Sequence, residues 1–82
     1  MDEKVLYSKV KELIVKVFEL DPDSISSEKR LNEDLNLDSL DMVDLVIAIN
    51  DEGICEQIEP VIFKDVCVVG DLVNRLQPFW KD

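Results

Sequence analysis

The 82-residue chain contains no histidine, only two glycines, three prolines and two cysteines. Without histidine, it lacks the side chain that most often serves as a general base near neutral pH. It has no glycine-rich phosphate loop and no Cys/His group with the spacing of a zinc site. The sequence therefore favours a protein that is not an enzyme and has no metal site.

Long apolar runs are also absent. No stretch approaches the ~20 residues that cross a bilayer, so we expect no membrane insertion. Only two cysteines are present, Cys55 and Cys67, and no signal-peptide pattern precedes the first amphipathic segment. A structural disulfide between them is the less favoured alternative. These features predict a cytoplasmic protein whose thiols are reduced and packed as small hydrophobic groups.

Basic residues are missing from one long interval. The net charge is −10, and residues 31–63 contain no lysine or arginine. That interval holds nine of the 19 acids: Glu33, Asp34, Asp38, Asp41, Asp44, Asp51, Glu52, Glu56 and Glu59. One interpretation is a solvated face. The other is a surface for partner proteins with basic patches, since so acidic a chain repels nucleic acid.

Helical periodicity dominates the first 20 residues. Apolar residues recur along one stripe at Val5, Leu6, Val10, Leu13, Ile14, Val17 and Phe18. This spacing predicts an amphipathic helix over residues 2–20, which Pro22 ends. The long polar connection that follows contains Ile25, Leu31, Leu35 and Leu37, so we expect an ordered loop attached to the core, with a short helical turn near residues 27–31.

A second helix is predicted from Ser39 to Glu52. Asp38 is a good N-cap and Asp41 its capping-box partner, so capping accounts for this carboxylate pair better than acid–base catalysis does. Gly53 is a ready C-terminal cap. Apolar residues cover most of the helix, which predicts packing against several neighbours with one acidic strip exposed.

The last third of the chain is less regular. The segment "EPVIFKDV" is compatible with a short helix with Pro60 in its first turn, and "VGDLVNRL" with an amphipathic helix that Pro78 ends. The tail places Phe79 and Trp80 either back on the core or in a small exposed patch. The prediction is a single all-α domain over residues 1–82: a small four-helix bundle of three main helices and one short helix, with a long first loop.

Ser39 is the one hydroxyl in "DLNLDSLDMVDLV". It could simply assist the helix start, because serine is common there. The context is more specific. The stretch "EDLNLDSLDMVDLVIAINDE" resembles the signature of acyl carrier proteins, and "KVKELIVKVFELDPDSI" and "VGDLVNRL" are similar to that family's first and last helices. The resemblance extends from about Val5 to Leu76.

The resemblance implies a four-helix bundle that carries a covalent cofactor. Ser39 would be esterified by 4′-phosphopantetheine from coenzyme A, through a phosphopantetheinyl transferase and magnesium, with Asp38 as the preceding motif residue. The arm's thiol would carry acyl groups as thioesters between enzymes, most simply those of type II fatty acid synthesis. Positions that match the family's docking surface for basic patches on these acyl-transferring enzymes are Asp38, Leu40, Asp41, Asp44, Ile47 and Asp51. We expect a monomer, as a shuttle needs no permanent interface.

Several positions depart from the family's pattern. Asn36 stands where glycine is frequent, Val68 supplies no capping oxygen to the last helix, and Asn50 replaces an acid. The region from Cys55 to Cys67 is longer and more apolar than usual. Two alternatives therefore stay open: a specialised carrier for polyketide, aminoacyl or other modified acids, and an unmodified acidic module that binds a basic partner.

Overall fold

The computed structural model of the chain describes residues 3–81 and has three α-helices in that range. These are α1 (Glu3–Phe18), α2 (Ser39–Glu52) and α3 (Val69–Leu76). Three short 3₁₀-helices accompany them, at Pro22–Ser24, Pro60–Phe63 and Gln77–Phe79. Over the same range the only extended pairing is two isolated backbone bridges, so the all-α prediction is confirmed. No helix in the described range is long and apolar enough to cross a membrane.

The core is formed by one face of each α-helix together with the long loop. Leu6, Val10 and Ile14 of α1 are fully buried, as are Leu45 and Ile49 of α2. All four residues of α3 with the predicted spacing are buried as well: Val69, Leu72, Val73 and Leu76. Val5 was predicted to lie on the apolar stripe, but 44% of it is exposed because it lies at the margin of that stripe.

The first helix ends two residues earlier than predicted. Glu19 adopts a left-handed conformation with φ = 54°, and the N–H of Leu20 then donates to the carbonyl of Val15 at 3.3 Å. This geometry normally uses glycine or asparagine, because a side chain with a Cβ is strained there. Glutamate gives no sequence signal for such a termination, so the helix end was placed too close to Pro22.

The long loop is ordered, as predicted. Ile25, Leu31, Leu35 and Leu37 are all buried in the core. A 3₁₀-helix lies at Pro22–Ser24, where Asp21 caps it by accepting a hydrogen bond from the N–H of Asp23 at 3.0 Å. The region of the predicted turn forms single hydrogen-bonded turns and no helix, as when the N–H of Lys29 donates to the carbonyl of Ser26 at 3.1 Å. Asn36 has φ = 58°, so its tolerance of the left-handed region is used.

The loop also caps the last helix. Val68 makes no side-chain capping bond, which agrees with the sequence. Backbone carbonyls of the loop take over, because the N–H of Val69 donates to Lys29 at 3.0 Å and that of Gly70 donates to Ser27 at 2.9 Å. A Cβ on Gly70 would lie 3.1 Å from the Ser27 oxygen, so the close approach requires glycine or a shift of the loop.

The segment between α2 and α3 differs most from the prediction. The expected short helix is only the four-residue 3₁₀-helix Pro60–Phe63, with Pro60 at its start and no side-chain cap from Glu59. A fourth α-helix is therefore absent from the described residues. Without a cap and with few turns, this segment cannot gain the cooperative hydrogen bonding of an α-helix.

The tail folds back onto the core, which decides between the two alternatives left by the sequence. The N–H of Glu56 donates to the carbonyl of Phe79 at 2.6 Å, and that of Lys81 donates to Ile54 at 3.0 Å. Phe79 and Trp80 are half-buried against the core. These bonds lie beyond the C-terminal end of α3, whereas the long loop contacts its N-terminal end.

The two cysteines are free, and their environments differ. Cys55 is buried, and this burial raises the pKa of its thiol above the ordinary value, so the thiol stays protonated at neutral pH. Cys67 was also predicted to be packed, but it is exposed. It lies two residues before α3, outside the buried stripe that begins at Val69.

Candidate functional site

Ser39 is the first residue of α2, and a complete capping box holds it there. The N–H of Asp41 donates to the carboxylate of Asp38 at 3.0 Å, and the N–H of Asp38 donates to the carboxylate of Asp41 at 3.0 Å. Each carboxylate satisfies a backbone donor that would otherwise have no partner. The structural role predicted for this pair is therefore confirmed, and Ser39 is presented at a defined helix start.

The start of α2 also has backbone N–H groups that the capping box does not use. The capping box uses the N–H of Asp41, whereas those of Ser39 and Leu40 donate to no acceptor within residues 3–81. Free N–H groups and the positive end of the helix dipole favour a phosphate at this position. The residues at the start of α2 thus fit a phosphodiester on the Ser39 oxygen.

The other serines offer poorer attachment points. Ser8 lies within α1, and the hydroxyl of Ser24 donates to the carbonyl of Asp21 at 2.7 Å. Ser26 and Ser27 lie in the loop, where the carbonyl of Ser27 caps α3. Of the chain's five serines, only Ser39 is exposed at the start of an α-helix.

A surface groove of about 650 Å³ adjoins Ser39. Its lining is mainly apolar and comes from the loop, α2 and the Pro60–Phe63 helix: Leu31, Leu37, Met42, Val43, Pro60, Val61, Phe63 and Val66. Arg30 and Lys64 contribute positive charge to the same groove, and Arg30 is also paired with Glu33. This volume lies within the usual range for small-molecule sites, so a group attached to Ser39 would find apolar surface beside it.

One exposed line of residues runs along α2 away from Ser39. We name it the docking face; its members are Leu40, Asp44, Ile47 and Asp51. Their spacing of three and four residues places them on one side of the helix, over about 16 Å. Leu40 is 75% exposed and Ile47 is 52% exposed. Two large apolar side chains on the same side of one helix contribute little to the core from there, and exposed apolar surface of this kind can mark an interaction site.

The acids of residues 31–63 do not all have the same role. Asp38 and Asp41 act in the capping box, and Glu33 and Asp34 bind the side chain and the N–H of Arg30. Asp44 and Asp51 have no hydrogen-bond or ion-pair partner in the described part of the chain. Of the acids predicted for docking, these two have carboxylate oxygens that no hydrogen bond within the described residues occupies, so the oxygens are open to a partner.

Sequence reasoning missed two residues that line the groove beside Ser39. Val43 was placed among the packed residues of α2, but it is 37% exposed and lines the groove. Val61 is 64% exposed beside it. The position of Val61 follows from the irregular Pro60–Phe63 segment, for which the sequence carries no clear period.

Fold and site together define a small helical protein with an exposed serine at a capped helix start. The family described as "Phosphopantetheine attachment site" matches residues 8–76. Acyl carrier protein 2 of Ralstonia nicotianae is 35% identical over 77 residues, covering 94% of each chain. Acyl carrier protein of Lactobacillus acidophilus is 34% identical over 94% of this chain and 95% of its own. That of a Picosynechococcus species is 38% identical over 84% of each.

The chain belongs to the acyl carrier protein family. Its covalent cofactor is 4′-phosphopantetheine, as the matched attachment-site family requires. The start of α2 and the adjoining groove fit such a group, since they offer a hydroxyl, free N–H donors and apolar surface.

Proposed function

We propose that Ser39 carries the 4′-phosphopantetheine arm and that the chain delivers acyl groups between enzymes without catalysing a reaction itself. The observation that carries this proposal is the placement of Ser39, exposed at the capped start of α2 beside a largely apolar groove. The resemblance of "DSLDMVDLV" to the family's signature supports the same residue. A phosphopantetheinyl transferase would attach the arm, using coenzyme A and magnesium.

The chain's own residues would hold and orient the arm. Asp38 and Asp41 fix the helix start, and the N–H groups of Ser39 and Leu40 favour the phosphate. The positive charges of Arg30 and Lys64 in the groove offset the carboxylates nearby. When bound, the arm supplies a terminal thiol that holds acyl groups as thioesters.

Delivery would depend on the docking face. Its acids attract basic patches on partner enzymes, and Leu40 and Ile47 provide apolar contact once the two proteins meet. Attraction through exposed charges is weak and sensitive to salt, which suits a monomeric carrier that must leave each enzyme quickly. Residues 31–63, which contain acids but no bases, support a carrier that binds basic surfaces. The two free thiols support a cytoplasmic location.

Type II fatty acid synthesis is the pathway we propose first, because the likeness to acyl carrier proteins extends over most of the chain. One observation favours a specialised carrier as the second candidate. The Pro60–Phe63 segment, which lines the groove beside Ser39, lies in the region that departs from the family's pattern. The surface next to the attachment residue is therefore particular to this chain, which supports a cargo other than an ordinary fatty acyl group.

Loading of the holo chain by different acyl-activating enzymes tests this order. We expect a malonyl-group transferase to load it at least tenfold faster than enzymes that activate amino acids, measured by intact mass over time. The apo chain, which lacks the arm, is the matched control. Loading by an amino-acid-activating enzyme alone would contradict the fatty acid assignment and support the specialised carrier.

A further inference from the structure

The wall of the groove opposite α2 is intrinsically weak. It consists of residues 58–63, whose only regular structure is the four-residue 3₁₀-helix that begins at Pro60. Glu59 provides no side-chain cap, and so short a helix has no stability of its own. Other contacts must therefore hold Pro60, Val61 and Phe63 in place along the groove.

One such contact comes from Asn50 on α2. Its side-chain amide donates to the carbonyl of Ile58 at 3.1 Å, and its side-chain oxygen accepts from the N–H of Ile58 at 3.1 Å. The amide thus satisfies both backbone groups of one residue, in a half-buried position where such bonds count more than in water. A carboxylate at position 50 could accept from Ile58 but, when ionised, could not donate to it.

A second contact comes from α3. Nη1 of Arg75 donates to the carbonyl of Ile62 at 2.9 Å, although Arg75 is otherwise exposed. The weak segment is therefore held near its start by α2 and near its end by α3. We name Asn50 and Arg75 the clamp residues.

We propose that the clamp residues are positioning residues for the prosthetic arm: they fix residues 58–63 as a preformed wall against which an arm on Ser39 lies. The part that concerns the arm rests on the proposed function, whereas the fixing of the wall does not. Both clamps act on backbone groups, and they add to the anchoring that the buried side chains of Ile58 and Phe63 provide. Asn50, which departs from the acid frequent in the family, thereby shapes the groove of this particular chain.

Hydrogen exchange of the apo chain tests the clamp without any cofactor. In Arg75→Ala, which loses one hydrogen bond, we expect the amides of Ile62 and Lys64 to exchange about five- to tenfold faster, and in Asn50→Ala, which loses two, by at least as much. Those amides bond within the wall, to Glu59 and Val61. The amide of Ile49 in the core reports the accompanying change in overall stability.

Two control variants are available, one on the same helix as Arg75 and one at an exposed positive charge on another helix. Asn74→Ala removes an exposed asparagine next to Arg75, and Lys9→Ala removes an exposed positive charge from α1. Neither should affect exchange in the wall. The two lost hydrogen bonds should lower the melting temperature of Asn50→Ala slightly, despite the better helix propensity of alanine. A general loss of stability does not speed exchange at amides that open locally, so faster exchange at Ile62 and Lys64 reports the wall. Unchanged exchange in both clamp variants would overturn the proposal.

A second measurement addresses the arm. In the wild-type chain, conversion from apo to holo should shift the NMR signals of Val61 and Phe63, and these shifts should fall by at least half in the clamp variants. Intact mass shows in parallel whether Ser39 has been modified. Failure of modification would count against the proposed function, with the exchange experiment still deciding the clamp. Full modification with no shifts at the wall, or with equal shifts in every variant, would overturn the positioning role.

Discussion

Replacing Asp44 with lysine is expected to weaken the chain's binding to its phosphopantetheinyl transferase about ten- to thirtyfold at low salt. An attraction of about 1 kcal/mol at contact distance becomes a repulsion of similar size, and 1.4 kcal/mol corresponds to tenfold. The change should appear mainly in the association rate and should shrink as salt is added. Binding kinetics of the apo chain at two salt concentrations measure it.

The control reverses the same charge elsewhere. Glu12→Lys changes an exposed acid of α1, a different helix from the one that carries the docking face, and should change binding less than threefold. Asp41→Lys is a less clean test, because its carboxylate also accepts the N–H of Asp38 and its loss should cost about 1 kcal/mol of stability. Equal losses for Asp44→Lys and Glu12→Lys would show that docking has no fixed face.

Truncating Leu45 to alanine is expected to lower the free energy of unfolding by about 3 kcal/mol. Leu45 is fully buried at the centre of α2, so its removal takes apolar contacts from the core and leaves a cavity. A domain of this size has only about 5 kcal/mol to lose, so the variant should keep about 2 kcal/mol and its unfolded fraction should rise to a few per cent. Urea denaturation followed by circular dichroism measures the change.

Ile47, two residues further along the same helix, provides the matched comparison. It is 52% exposed, so Ile47→Ala should change the free energy of unfolding by less than about 0.5 kcal/mol. Its contact with partner enzymes should be lost all the same. A large loss of stability in Ile47→Ala would show that this side chain belongs to the core and not to the docking face.

The regular parts of the fold follow from the sequence. The bounds of α2 were predicted correctly. Asp38 and Asp41 are strong signals for the start of a helix and Gly53 for its end, and the structure uses all three. Buried positions in α1 and α3 follow from their apolar periodicity. The apolar residues spaced through the long loop likewise predicted that it is attached to the core, where Ile25 and Leu37 lie.

The parts that could not be predicted depend on contacts between distant segments. Glu19 ends α1 in a conformation that its side chain does not favour, so no local signal was present. The cap of α3 comes from backbone carbonyls some 40 residues earlier, and the conformation near Pro60 depends on Asn50 and Arg75. Such contacts arise only when the bundle is assembled, and short-range patterns carry no record of them.

The candidate site was predictable to a similar degree. Ser39 was identified because its neighbours form both a capping box and a family signature. The acids around it were predicted as one strip, but the structure divides them into residues that cap α2, such as Asp41, and residues left for a partner, such as Asp44. The groove was not predicted, since Val61 and Phe63 reach it through the irregular segment.

The measurement that tests the central claim most directly is intact mass after incubation with coenzyme A, magnesium and a broad-specificity phosphopantetheinyl transferase. The wild-type chain should gain the mass of one phosphopantetheine group, and Ser39→Ala, with its capping box intact, should gain none. Ser24→Ala is the matched control and should be modified like the wild type. A folded wild-type chain that gains no mass, or a Ser39→Ala variant that still does, would contradict the assignment of Ser39 as the attachment residue.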